Sequence, residues 1–62
     1  MKVIASANVN ASVVEIVEHW SASEAPYAYE VRISSPGYVS LSRQSTEKDA
    51  RTSADMWIRK LA

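Results

Sequence analysis

Five apolar side chains near the end of the chain, Ala50, Ala54, Trp57, Ile58 and Leu61, fall at i, i+4, i+7, i+8 and i+11. That spacing makes one stripe along a helix. Lys48, Thr52, Asp55 and Arg59 fall on the opposite side, which suits water. Ser45 or Thr46 supplies an N-cap hydroxyl, because a short oxygen-bearing side chain accepts from the free amides of the first turn. Glu47 and Asp49 then lie near the positive end of the helix dipole, and Arg59 and Lys60 near the negative end. Glu47 with Arg51, and Asp55 with Arg59, are acid-before-base pairs at i,i+4, each worth about 0.2–0.5 kcal/mol. Trp57 is the anchor of the stripe, and the small Ala50 and Ala54 let the helix come close to its partner. A lone helix of this length is marginal in water, so it needs a sheet to lie on.

The sheet must come from the residues before it. Val3, Ala5, Ala7, Val9, Ala11 and Val13 alternate with Lys2, Ile4, Ser6, Asn8, Asn10 and Ser12, Ile4 being the one apolar exception in the second set. Alternation of this kind is a strand pattern. At Val13-Val14 its phase slips. Either one long strand carries a bulge near Val13, or two strands meet in a turn within Asn8–Ser12. Asn and Ser favour turns, which favours the second reading. Ser21-Ala22-Ser23-Glu24-Ala25-Pro26 reads as a loop. Tyr27, Tyr29, Val31 and Ile33 then alternate with Ala28, Glu30, Arg32 and Ser34 in the cleanest strand of the chain. Ser35-Pro36-Gly37-Tyr38 is a tight turn, with Pro presetting one angle and Gly supplying a positive φ. Val39 and Leu41 alternate with Tyr38, Ser40, Ser42 and Gln44 in the strand that runs into the helix cap.

The predicted class is α+β: a small antiparallel sheet of three or four strands with one C-terminal helix packed on one face, in the order β-β-β-α. The expected core is Val14, Ile16, Trp20, Tyr29, Val31, Ile33, Val39, Leu41, Ala54, Trp57, Ile58 and Leu61. The other face should show Glu15, Val17, His19, Ala28, Glu30, Arg32, Ser40, Ser42 and Gln44. Val3, Ala5, Val9 and Val13 form an apolar row with no obvious partner inside the chain. Leftover apolar strand surface of this kind pairs with another chain, so a homodimer is expected.

With 62 residues the chain is a single domain, 1–62. It has no Cys, so no disulfide or thiolate metal site can staple it. The formal net charge is zero, which gives no long-range attraction to nucleic acid. No apolar run is long enough to span a membrane, and the short apolar block after Met1 is too small for a secretory leader, so a cytoplasmic protein is expected. His19 is the only His and has no thiol or second imidazole to complete a metal site. No Gly-x-Ser-x-Gly elbow is present, and Gly37 is the only glycine, so no glycine-rich phosphate loop exists. Glu15, Glu18, Glu24 and Glu30 could make a carboxylate pair across strands, which surface strand carboxylates do without catalysis far more often than with it. The expectation is a non-enzyme with no catalytic residues, no metal and no cofactor.

Tyr27 and Tyr38, expected near one hairpin, offer area and a hydroxyl at low entropic cost and are candidates for binding protein, together with Val17 and His19. The run Tyr29-Glu30-Val31-Arg32-Ile33, a turn, a second strand, and a helix bearing Ala54 and Trp57 resembles the arm-type DNA-binding domain of phage integrases (tyrosine recombinases). That resemblance implies a three-stranded sheet on a C-terminal helix, with the exposed sheet face entering the major groove of duplex DNA. On it, Arg32 and Ser42 would read bases while Arg43 and Lys48 hold phosphates. The neutral charge, with acids interleaved among the helix bases, ranks a protein partner first and duplex DNA second. A small chain of this kind suits a phage or mobile-element accessory protein that inhibits a host complex.

Overall fold

A computed structural model describes residues 1–20 and 26–62. Four strands and one helix follow in chain order: β1 (Lys2–Val9), β2 (Ser12–Trp20), β3 (Pro26–Ser35), β4 (Tyr38–Gln44) and α1 (Glu47–Leu61). The strands lie side by side in sequence order, each antiparallel to the next. The helix packs on one face, so the fold is α+β with a four-stranded meander. The loop expected over Ser21–Ala25 lies outside the described residues, and Pro26 opens β3, where a missing amide costs the ladder least.

The phase slip near Val13 is a turn. Val9 pairs with Ser12, and Asn10 between them has φ 55°. Asn is among the few side chains that accept this left-handed backbone. Its Nδ2 also donates to the carbonyl of Leu61 at 2.8 Å, giving one of the free carbonyls at the helix end a partner. At the β3–β4 turn Ser35 pairs with Tyr38 and Gly37 has φ 92°, as the Pro-Gly pair requires. The buried Ser12 hydroxyl is satisfied by that of Ser35 at 2.6 Å.

Val14, Ile16, Val31 and Ile33 from the central strands meet Ala50 and Ala54 of α1, and all six are buried. Ile4, Ala5, Tyr29, Trp57, Ile58 and Leu61 close around them. Thr46 is the N-cap, its hydroxyl accepting from the Asp49 amide at 3.2 Å. Glu47 and Arg51 pair at 2.8 Å, and Lys60 Nζ sits 5.0 Å from the centre of the Trp57 ring. Loss of water pushes the Tyr29 phenol above its ordinary pKa, helped by the carboxylates of Glu18 and Glu47.

Three expectations are corrected. The register shifts between Val3 and Ala5, so Ile4 is the extra residue of a bulge. Ile4 and Ala5 therefore turn toward the core while Val3 stays on the far face opposite Val17, and the supposed single apolar row of the N-terminal strand is split. Second, Val39 and Leu41 are not core residues: they are 67% and 60% exposed. The two-residue turn sets Ile33 opposite Ser40, Val31 opposite Ser42 and Tyr29 opposite Gln44. Facing residues share a sheet face, so Ser40, Ser42 and Gln44 lie on the helix side. Third, Trp20 is 44% exposed, because the pairing becomes irregular after His19 at the strand end. Its indole N–H donates to Glu18 Oε1 at 3.1 Å.

Candidate functional site: the open sheet face

The sheet face away from α1 is built in rows by the register. One row runs Val3, Val17, Glu30, Arg43, and the next runs Ser6, Glu15, Arg32, Leu41. A third runs Asn8, Val13, Ser34, Val39, and His19 faces Ala28 beyond the first. No helix or strand covers this face among the described residues. Its middle is nonetheless dry: Val17 is 1% exposed, and Ala28 and Glu30 are 8% each. Arg32 lies along the face with its Nε donating to Glu30 Oε1 at 2.6 Å, and one of its terminal nitrogens reaches Met1 Sδ at 3.5 Å. His19 Nε2 stands 3.6 Å from the same carboxylate oxygen, closed off from solvent and without a hydrogen-bond partner.

The short bond from Arg32 holds the Glu30 carboxyl below its ordinary pKa, against the opposing effect of burial, with smaller help from the Arg32 and His19 charges. A lowered folded-state pKa means Glu30 stabilises the fold above the ordinary carboxylate value of 4.5. That contribution is lost as pH falls through the lowered value. Glu30→Gln should therefore flatten the acid limb of the stability profile. Thermal midpoints of both proteins, followed from neutral pH into acid, check this: parallel acid limbs would show that Glu30 does not set the dependence.

The residues singled out from the sequence are placed unevenly. His19 and Tyr27 are neighbours, ring centres 6.4 Å apart and tilted by 59°. Val17 is in the same region but buried. Tyr38 sits at the far end of the sheet, since Tyr27 opens β3 and Tyr38 pairs with Ser35 at its close, roughly 25 Å away along the strand. The tyrosines thus do not gather at one hairpin. Arg32 and Arg43 share the open face, but Arg32 is tied to Glu30 and Arg43 lies directly across from it. Ser42 is on the helix side, and Lys48 is exposed in the first turn of α1. The four DNA candidates therefore do not form one surface. The residues missed from the sequence are Val39 and Leu41, which give this face its exposed aliphatic edge; counting parity through the Pro36-Gly37 turn would have found them.

A separate shallow groove of about 170 Å³ runs between β1 and α1, floored by Ala5, Ala7, Val14, Ile16 and Ala54. It exists because β1 offers only small side chains there, and it is smaller than sites that enclose a small molecule, which begin at about 300 Å³. Among the described residues no helix is long and apolar enough to cross a membrane. Comparison with family models, curated proteins and solved structures finds no match for this chain.

Proposed function

We propose that this chain is a non-enzymatic interaction module that binds a protein partner through the open face of its sheet, and that it acts as a homodimer. The observation that carries the reading is the exposure of Val39 and Leu41, at 67% and 60%, together on β4 and on a face that no element covers among the described residues. Exposed aliphatic side chains that share a face mark association. Glu30 and Arg32 satisfy each other, which leaves Glu15 and Arg43 as the other charges of this face, with Arg43 on the strand that carries Val39 and Leu41. The complementary surface is an apolar patch flanked by a carboxylate. Duplex DNA is the alternative occupant, supported by the arm-domain resemblance and by Arg43 on this face.

The test compares wild type with Val39→Asp as bait for host proteins, alongside titration of each into fluorescent duplex DNA at two salt concentrations. Arg32 is unsuitable as a probe, because its loss would strand the Glu30 carboxylate. A protein retained by wild type and weakened about tenfold or more by Val39→Asp, at unchanged thermal midpoint, is expected. Retention indifferent to Val39→Asp would remove the face from this role. DNA binding that falls steeply with salt would move the assignment to duplex DNA.

A further inference from the structure

The two edge strands are built differently. β1 begins with Lys2 and carries the bulge between Val3 and Ala5, two devices that blunt a sheet edge. β4 has neither. Its seven residues pair with β3 in unbroken register, contain no Pro or Lys, and among the described residues have no strand on their outer side. The helix lies mainly over β2 and β3 and touches β4 less. Such an edge presents a row of unpaired amides and carbonyls to any strand that fits.

We infer that the strand that fits is a second copy of β4, joined antiparallel about a two-fold axis through Leu41. The two sheets of four strands become one continuous sheet, with both helices on the same side. This rests on the dimeric part of the proposed function and not on what the open face binds. An axis normal to the sheet brings helix side to helix side, so facing residues must have the same parity. Leu41 is the middle of the seven, and centring there pairs every residue of the strand. Tyr38 faces Gln44, Val39 faces Arg43, Ser40 faces Ser42, and Leu41 faces itself. Sliding by two residues leaves one end of each strand unpaired.

The resulting pairs are complementary on both sides of the sheet. On the open face Leu41 packs on Leu41 of the second copy, and Val39 lies along the aliphatic stem of its Arg43. No like charges meet, because each Arg43 is kept from the other and already faces Glu30 in its own sheet. On the helix side the half-buried hydroxyls of Ser40 and Ser42 can bond across the junction. Val39 and Leu41 thus gain a lateral neighbour at the junction while their outer sides remain on the open face.

The native chain has no Cys, so a single introduced thiol reports the register. Facing residues of an antiparallel pair have Cα atoms about 4.5–5.5 Å apart, within the range a disulfide spans. Leu41→Cys alone should form a covalent dimer under mild oxidation. Val39→Cys alone should not, whereas a mixture of Val39→Cys and Arg43→Cys should give the mixed dimer. In sedimentation, wild type should pass from monomer to dimer with concentration. Leu41→Lys should weaken that step about tenfold or more by setting two ammonium groups face to face. Val39→Asp should keep the dimer, since it gains Arg43 of the second copy, even where it loses the protein partner. Monomer at every concentration overturns the dimer. Cross-linking of Val39→Cys as readily as Leu41→Cys overturns the register.

Discussion

Ile33→Ala is expected to remove about half of the stability of the fold. Ile33 is fully buried in the strand next to β4, against Val14, Val31 and the two helix alanines. Cutting a buried Ile to Ala costs about 2–5 kcal/mol, because packing atoms are lost and the hole fills only in part. A domain of 62 residues holds roughly 3–9 kcal/mol in all, at about 0.05–0.15 per residue. No disulfide supplements that margin. Urea unfolding followed by far-UV circular dichroism measures the loss. Ile33→Val, which removes one methyl, should cost about 0.5–1.5 kcal/mol and remain folded. An Ile33→Ala protein as stable as its Val counterpart would mean that the helix does not press on this part of the sheet.

The second large effect is expected from adding atoms. Ala50 is fully buried and Ala54 is 6% exposed where α1 meets the sheet. A Leu at position 50 has no room unless the helix lifts or rotates, at a cost of about 1–3 kcal/mol. For a domain of this size each kcal/mol lowers the thermal midpoint by about 4–8 °C. Met56→Leu, on the exposed side of the same helix at 64%, should change stability by less than about 0.5 kcal/mol. Equal midpoints for the two variants would show that the helix meets the sheet by another face.

The contrast between these positions was legible in the sequence. A stripe of five apolar residues, a cap, and charges sorted along the dipole all agree on one helix and one orientation. The central strands were legible too, because Val31 and Ile33 alternate with charged and polar neighbours. β4 was not. Its apolar residues are two aliphatics among serines, and their hydropathy points inward while the turn geometry points them outward. A hairpin of fixed length transmits face from one strand to the next, and that constraint outweighs the affinity of Val39 and Leu41 for a core. Trp20 misled for a related reason: it is large and apolar, but it lies beyond the last regular pair of its strand. The buried pair of Glu30 and Arg32 was hidden in another way. Both are ordinary surface residues by type, and it is their shared face, with His19 beside the carboxylate and Met1 beside the guanidinium, that brings them together.

The bond from Asn10 to the Leu61 carbonyl joins residues 51 apart in sequence. Every strand pairing in the meander is between neighbours, so the hairpins close short loops and form quickly. The bond at Asn10 acts as a clasp that waits for the whole chain, and it is available only after the helix has docked. It is expected to contribute little to the speed of folding. Opening should begin at the same place, with the end of the helix and the first turn letting go together, while the central strands keep their amides protected from solvent exchange.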